Sequence, residues 1–528
     1  MRNLIRVLIV FLFILPISKS FSHEKIANST CNLFIKNIID NYDLIKDHYW
    51  MGSTDPKYGF ILEEIWDPDL TYTDDDGKET FGDTKLRRDK NDNIIISNVF
   101  ASYAFKVNFK PGDKIIEINK KPTKNYSDNE IDEIFSDEEK KVEITYINQQ
   151  NKKVTEKLEK LEIHITRKYL DFKIKNFNSI NNQTFETDFI VNYDIQAELY
   201  DGIKKDDYED MDNDNLFKMV KENFYQKDDE DEWYGTCEYT DEELNQMQLI
   251  SPSWTVGLLN LSYQSEDTSE TTTSLKIYDE LSGSDFESID IISTFNGQVK
   301  VKNNFDLRNF PFDKQRIVFN FSELEETDVT LTPSWEIYAN LHELFKADNL
   351  INGWKLVDYR VIGDNYQEQG FYKDKYLNQL NIILEIERQS SYYVYKIILP
   401  IILILLVCWS VIWITPREIE SRLTVTIVCL LSLIAYNFVI DKEIPKLEYL
   451  TIMDWVIFTS YVFATIPNFL CIISFKLFTT NKKLCMAIEN KAKYIGPISY
   501  VVIVLLIISY NVSLEPENAT QALRLLSK

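Results

Sequence analysis

Glu420 is the side chain whose type and position say most about the chemistry of this chain. It opens an apolar segment that runs to Ile440, and Pro445 follows soon after. A charge at the centre of a bilayer costs about 3 kcal/mol, so charged residues lie at the ends of membrane helices or beside water-filled paths. Carboxylates around the mouth of such a path attract cations and reject anions. Alternatively, Glu420 is a solvated charge at a helix N-terminus, where the helix dipole favours it.

A second candidate ion site lies in the acidic segment from Asp201 to Glu243. Its carboxylates include Asp210, Asp212 and Asp214, which are the oxygen ligands that hard cations prefer. Asp210-Met211-Asp212-Asn213-Asp214 begins like an EF-hand calcium loop, but Asn215 stands where that loop needs glycine and Lys221 where it needs glutamate. The EF-hand interpretation therefore fails. The segment is either a looser calcium site or a solvated acidic loop.

Composition and motifs exclude several classes of function. The formal net charge of -26 disfavours nucleic acid as a partner and attracts cations. The sequence contains no G-x-S-x-G, H-E-x-x-H or P-loop motif and no Cys/His cluster. We therefore predict that the protein is not an enzyme and has no catalytic residues. We expect no cofactor, with Ca²⁺ as a candidate modulator.

The last quarter of the chain contains four long apolar segments. A membrane helix needs about 20 mostly apolar residues. The segments that approach or exceed this length are residues 393–414, 420–440, 455–478 and 496–514. They predict a multi-pass, all-α membrane domain over residues 393–514.

The chain ends and the charged loops predict the orientation in the membrane. Residues 1–20 have the tripartite pattern of a secretory signal peptide, with a fifth membrane anchor as the alternative. Basic residues such as Arg417 and Lys482 fall in the loops predicted to lie inside. We expect a bacterial inner-membrane protein whose outer domains and tail, residues 515–528, lie in the periplasm or outside. Cys31 and Cys237 are then exported, and a disulfide between them stays open.

The exported part before the membrane domain shows the pattern of an antiparallel β-sandwich. Short runs rich in β-branched and aromatic residues alternate with Asn, Asp, Gly and Pro. These runs are Phe185 to Ile195, Ser274 to Tyr278, Gln298 to Phe305, Gln315 to Phe321, Trp354 to Val361 and Leu380 to Ile386. The sequence therefore predicts a sandwich domain over residues 167–392.

One segment in this region resembles a known family. Phe305-Asp306-Leu307-Arg308-Asn309-Phe310-Pro311-Phe312-Asp313-Lys314-Gln315 is similar to the loop at the base of the extracellular domain in pentameric ligand-gated ion channels, the Cys-loop receptor superfamily. Asn303 and Ile317 stand where eukaryotic members have the two loop cysteines, as in the prokaryotic branch. The resemblance extends to Arg388 before the first helix, to the mid-span Pro400 and to the second helix with its linker.

The resemblance implies a homopentamer in membrane lipid that conducts monovalent cations. In this family the second helix lines the pore, so Glu420 and Thr424 would select the ion. Val428, Leu431, Ala435 and Phe438 would form a hydrophobic gate that closes by dewetting. At about 100° per residue, these six residues lie within about 80° of one helix face.

The resemblance also implies coupling and ligand-binding residues. The coupling residues would be Asp306, Phe310, Pro311, Phe312, Asp313, Arg388, Asp441 and Pro445. The ligand pocket between subunits would involve Trp254, Glu323, Glu325, Tyr366, Phe371, Tyr372 and Tyr376. The aromatic cage is incomplete, which argues against a quaternary amine as agonist. Alternatively, these aromatic residues simply pack within strands.

The N-terminal region, residues 24–165, resembles a PDZ domain. Lys110 to Asn119 is similar to the turn and strand that PDZ domains share, and Asp128 to Phe135 would be the groove helix. Lys57-Tyr58-Gly59-Phe60 would be the loop that holds a terminal carboxylate. The domain either binds a peptide or only packs on the rest of the chain.

The predicted fold class is therefore multidomain: an α+β PDZ-like N-terminal domain, an antiparallel β-sandwich ligand-binding domain and a four-helix transmembrane domain. The predicted function is a cation-selective pentameric channel that is gated or modulated at its outer domains by a ligand or ion, with calcium and protons as candidates. The alternative is a membrane-anchored sensor that captures a peptide or metal without conducting.

Overall fold

The computed structural model describes most of the chain. The described residues are 60–73, 79–99, 108–136, 141–158, 166–181, 185–203, 226–227, 233–239, 256–265, 268–279, 286–323, 329–347, 353–367, 376–440 and 447–513. The predicted signal peptide, the acidic residues Asp210, Asp212 and Asp214, Cys31 and the tail lie outside them. So do Trp254, Glu325, Phe371, Tyr372, Asp441 and Pro445.

The chain forms two compact units. The smaller unit comprises residues 1–51, 198–251 and 272–292. Its described strands include β11 (Gln226–Lys227) and β12 (Trp233–Tyr239), and β12 pairs antiparallel with both β11 and β15 (Glu270–Asp279). The larger unit comprises residues 52–197, 252–271 and 293–528 and holds the N-terminal domain, most of the sandwich and the membrane helices.

The N-terminal domain is a small antiparallel sheet covered by one helix. Its sheet has the order β1-β4-β5-β7-β8, with β6 paired to β5. These strands are β1 (Phe60–Leu62), β4 (Ile94–Val99), β5 (Lys114–Ile118), β6 (Lys121–Pro122), β7 (Val142–Ile147) and β8 (Lys153–Leu158). The helix α1 (Asp128–Ser136) buries Ile131 in a core that also contains Phe60 and Phe109. The predicted strand and helix are therefore present at Lys114–Ile118 and Asp128–Ser136. Residues 57–59 of the predicted carboxylate-binding loop lie outside the described residues, and the relation to the PDZ family stays a prediction.

A long hairpin leaves this sheet between β1 and β4. It consists of β2 (Glu64–Thr73) and β3 (Glu79–Leu86). Trp66 of the hairpin stacks on Trp335, with ring centroids 6.0 Å apart. Gly82, at φ 89°, lies against the Trp66 ring, where the structure has no room for a Cβ atom.

Two sheets form the sandwich of the larger unit. One contains β16 (Phe286–Lys302), β10 (Glu186–Ile203), β9 (Thr166–Asn181) and β18 (Val329–Pro333), with β14 (Leu261–Gln264) on β16. The other has the order β13 (Val256–Leu258), β17 (Lys314–Glu323), β20 (Tyr376–Arg388) and β19 (Trp354–Gln367). Alternate side chains such as Ile317, Phe319 and Phe321 enter the shared core, because successive residues of a strand face opposite sides. The helix α2 (Trp335–Lys346) follows β18.

Among the residues that the structure describes, four helices are long and apolar enough to cross a membrane. They are α3 (Ser391–Trp413), α4 (Ile419–Ile440), α5 (Ile452–Thr480) and α6 (Lys482–Ser513). They pack around a common apolar core. The fourth helix begins at Lys482 rather than at residue 496, because a polar, lysine-rich stretch continues the helix beyond its apolar part.

The first membrane helix changes its hydrogen bonding around Pro400. Val394–Ile398 forms a π-helical turn just before the proline. Proline has no N–H to donate, and its ring displaces the backbone carbonyl of the residue four positions earlier. That carbonyl belongs to Lys396, and the Tyr436 hydroxyl of α4 donates to it. A neighbouring helix thus satisfies the backbone group that the proline frees, as a membrane environment requires.

Candidate ion pathway and coupling site

The helix α4 has one face packed against the rest of the chain and an opposite face that is open. The packed face consists of Arg422, Thr426, Cys429 and Leu433, all buried. With Glu420 as origin and about 100° per residue, these four centre at about 210° around the helix axis. The predicted pore-facing residues centre at about 40°, nearly opposite. The register that the family resemblance implied therefore coincides with the middle of the open face.

All six predicted pore-facing side chains are exposed in the single chain. Val428 is 54% exposed, Leu431 58% and Phe438 67%, and Glu420, Thr424 and Ala435 are exposed as well. Ile427 and Ile434 are also exposed and lie at one edge of the same face. Large apolar side chains exposed along one helix face indicate a surface that lipid or another subunit covers.

The two charged residues at the start of α4 have opposite environments. Glu420 is exposed. Arg422 is 1% exposed, and its Nη1 lies 2.6 Å from Glu489 Oε1 on α6. Arg422 also donates to the carbonyl oxygens of Ile412 and Ile414 at the end of α3. The positive charge is therefore neutralised and turned inward, while the carboxylate of Glu420 stays on the open face.

Thr424 lies one turn above Glu420 on the same face. Its hydroxyl donates to the Glu420 carbonyl oxygen at 2.8 Å. Because the hydroxyl proton is used in this bond, the hydroxyl can contact an ion only through the lone pairs of its oxygen. A lone pair serves a cation rather than an anion.

The loop at the base of the sandwich is held by a buried ion pair. Arg388 Nε lies 2.7 Å from Asp313 Oδ1, and Arg388 Nη2 lies 3.1 Å from Asp313 Oδ2. Both side chains are almost fully buried. The guanidinium also lies 4.0 Å from the Trp354 ring centroid and 4.9 Å from that of Phe310, distances typical of cation–π contacts. Gln315 adds a hydrogen bond to Asp313 at 2.7 Å.

The same loop makes backbone contacts with the start of α5. Ile452 N–H donates to the Arg308 carbonyl at 2.9 Å, and Met453 N–H donates to that of Phe310 at 3.3 Å. These N–H groups are among those that a helix N-terminus leaves without an intrahelical partner. Leu307 and Phe310 also join the apolar core of the membrane helices, as Phe312 does at its margin. Asp306, Pro311 and Asp313 belong to this loop, so the predicted coupling residues that the structure describes meet where sandwich and helices join.

The structure says less about the predicted ligand pocket. Tyr366 and Tyr376 lie at the end of the β19–β20 hairpin where β19 finishes and β20 begins, and Tyr366 pairs there with Leu377 and Gln367 with Tyr376. Glu323 ends β17 and pairs with Val256. The other proposed pocket residues lie outside the described residues.

Several residues at these sites were not predicted from the sequence. Glu489 neutralises Arg422, and Tyr449 accepts a hydrogen bond from the Leu307 N–H at 3.0 Å. Burial raises the pKa of the Tyr449 phenol, which therefore stays protonated. Phe185 adopts φ 57°, rare for an aromatic residue, and packs against the cores of both the sandwich and the helices. No local sequence pattern predicts these contacts, because the residues that meet are far apart in the sequence.

No protein-family model matches the chain. A proton-gated ion channel from Gloeobacter violaceus is 27% identical over 168 residues, covering 31% of this chain and 44% of the relative. A serotonin-gated chloride channel, mod-1, from Caenorhabditis elegans is 30% identical over 181 residues, covering 33% and 35%. The glycine receptor subunit beta of Rattus norvegicus is 23% identical over 182 residues, covering 33% and 34%.

The homologues of this chain are pentameric ligand-gated channels of the Cys-loop superfamily. The chain spans less than half of the length of each of these curated relatives. They are ion channels and not enzymes, which supports the expectation that this chain has no catalytic activity. They include a chloride channel, so relationship alone leaves the sign of the conducted ion open.

Proposed function

We propose that the chain forms a cation-selective, homopentameric ligand-gated ion channel with α4 lining the pore. The observation that supports this most directly is the opposite placement of the two charges at the start of α4. Glu420 lies on the open face, whereas Arg422 is buried against Glu489. Five copies around an axis would turn Glu420 into a ring of five carboxylates.

The apolar part of the same face suits a gate. Val428, Leu431, Ala435 and Phe438 follow Glu420 and Thr424 along the open side of α4. In a pentamer these residues would form successive apolar rings. A narrow apolar ring empties of water without needing to close fully, and an ion cannot cross the dry section.

The contacts between sandwich and helices support gating from the outer domains. A ligand that binds one conformation of the outer domains more tightly than the other shifts the channel between closed and open states. The β19–β20 hairpin carries Tyr366 and Tyr376 where β19 finishes and β20 begins, and β20 ends at Arg388. Arg388 holds Asp313 in the loop whose carbonyl oxygens accept hydrogen bonds from the first N–H groups of α5. Calcium and protons are the modulators we propose, because the exported part is rich in carboxylates.

The selectivity ring can be tested with Glu420→Gln. We expect the purified wild-type protein in planar bilayers, under a NaCl gradient, to reverse near the Na⁺ equilibrium potential. A unit charge at about 4 Å is worth about 1 kcal/mol even in bulk water, so the variant should lose at least about fivefold of its Na⁺ over Cl⁻ preference. Recording should step calcium from millimolar to chelated and pH from neutral to acidic.

The matched control is Glu418→Gln, which removes the same charge from the turn just before α4. Glu418 lies about 120° around the axis from the centre of the predicted pore face, so its loss should leave the reversal potential nearly unchanged. An unaltered cation preference in Glu420→Gln would sink the ring assignment. Absence of current from the wild type under every condition would instead favour a membrane-anchored sensor.

A further inference from the structure

A basic cleft lies between the N-terminal domain and the sandwich, within the larger unit. It has a volume of about 920 Å³, which is in the range of small-molecule sites. Seven of its lining side chains are basic and four are acidic, although the whole chain carries a net charge of -26. The cleft is therefore positively charged in a chain that is negatively charged overall, and the overall composition does not account for it.

An ion-pair network between the domains explains part of this charge. Arg87 donates through Nη1 and Nη2 to Asp358 at 3.0 and 2.7 Å. Arg360 donates through Nε and Nη2 to the fully buried Glu63 at 2.8 and 2.6 Å. These bonds join the N-terminal domain to β19. They occupy the guanidinium groups of Arg87 and Arg360. The basic groups nearer the mouth of the cleft take no part in this network.

The other basic side chains of the cleft keep N–H donors that no acceptor among the described residues uses. Arg316 uses only Nε, which donates to Glu385 at 2.8 Å, so both of its terminal nitrogens are left. Lys90 is exposed in the turn after β3 and has no acceptor in the described part of the chain. Lys114 donates to Asp89 at 3.0 Å, but that carboxylate already accepts from Asn91 and Asn93.

We propose that this cleft binds a small multivalent oxyanion, such as a sulfate, phosphate or polycarboxylate group, between Lys90 and Lys114 of the N-terminal domain and Arg316 of the sandwich. The planar fork of arginine matches two oxygens of such a group, and the two lysines add charge. A ligand held from both sides would tie the N-terminal domain to the sheet that ends at Arg388. The cleft is lined by Asp358 and Arg360 of β19 and would be a ligand site separate from the predicted pocket at Tyr366 and Tyr376.

The test is a thermal-stability titration of the full-length protein in detergent. Sulfate replaces chloride at constant ionic strength, with a chelator present to exclude metal effects. A ligand that binds only the folded state stabilises it by RT ln(1 + [L]/Kd), so the melting temperature rises once the ligand concentration passes Kd and then grows with its logarithm. Sulfate also stabilises proteins by exclusion from their surface. That effect needs no binding site and should be the same in every variant.

Lys90→Gln is the decisive variant, because Lys90 makes no ion pair with any described residue whose loss would disturb the fold. We expect the sulfate concentration that gives a set rise in melting temperature to increase about fivefold, with an unchanged melting temperature in chloride. Lys157→Gln removes an exposed lysine from β8, outside the cleft, and should behave as the wild type. Equal titrations of wild type and Lys90→Gln would overturn the proposal. Neither outcome depends on whether the protein conducts ions.

Discussion

At the scale of single residues, the structure is organised by buried charges that find partners far along the chain. Asp313 and Arg388 are 75 residues apart, and Arg422 and Glu489 are 67 apart. The sequence indicated that Asp313 and Arg388 matter for coupling, through the family resemblance. It could not indicate that they bond to each other, because pairing depends on the packing of whole strands and helices.

The Asp313–Arg388 pair should be costly to break. Removing one partner leaves the other charge buried and uncompensated, which costs about 3–5 kcal/mol. We therefore expect Asp313→Asn to lower the melting temperature strongly, as followed by tryptophan fluorescence of the detergent-solubilised protein. The matched control is Arg308→Gln, which breaks an exposed pair with Asp306 worth about 1 kcal/mol or less. Equal melting temperatures in the two variants would contradict this account of the loop.

Glu64 should make stability depend on pH. Burial, together with the charges of the nearby Asp132 and Asp83, raises the pKa of Glu64 to about 7. A hydrogen bond with Thr84 lowers this pKa but does not offset the rise. A carboxyl whose pKa is higher in the folded state favours folding below its unfolded pKa, and this contribution is lost as pH rises through the folded value. Relative to Glu64→Gln, the wild type should therefore lose stability between pH about 4.5 and 7. Melting curves of both proteins across this range check it, and a constant difference would refute the assignment.

At the scale of elements, periodicity and hydropathy predicted those strands and helices whose position depends on the local sequence. The strands at Gln315 to Phe321 and Leu380 to Ile386 and the second membrane helix lie where the sequence placed them. The helix α2 and the first part of α6 were missed. The beginning of α6 is polar, so its helical structure gives no membrane signal, and α2 interrupts a region that otherwise reads as strands.

Gly496 marks the closest approach between α6 and α3. A Cβ atom at this position would lie 2.0 Å from the Trp409 ring, so any larger side chain must push the helices apart. We expect Gly496→Val to cost about 1–3 kcal/mol and to lower the melting temperature of the detergent-solubilised protein. Ala487→Val places the same side chain at an exposed position of α6 and should be nearly neutral. A similar loss in both variants would show that valine disturbs the helix itself and not this contact.

At the scale of the whole molecule, the larger unit joins three domains through a few strong contacts. Glu63 pairs with Arg360 and lies 3.5 Å from Arg87. Ser97 donates to the Val361 carbonyl at 3.0 Å. The sequence could not indicate this junction, since Glu63 and Arg360 are 297 residues apart.

The Glu63 junction should control how firmly the N-terminal domain is held. Glu63→Gln leaves Arg360 without its buried counter-charge, at a cost of about 3–5 kcal/mol, whereas Arg87 keeps its pair with Asp358. We expect limited proteolysis to release the N-terminal domain faster from this variant than from the wild type. Glu117→Gln breaks only the surface pair with Lys153 and should be cleaved at the wild-type rate. Unchanged cleavage of Glu63→Gln would show that other contacts hold the domain.

The hydroxyl of Tyr436 has a consequence for how the membrane helices can move. It supplies the hydrogen bond that Pro400 denies to the Lys396 carbonyl, and the hydrocarbon around it offers no water as a substitute. If α4 turned alone, that carbonyl would lose its donor in an apolar medium. The two helices are therefore coupled at this level, and a rotation of α4 about its axis has to carry the part of α3 around Lys396 with it.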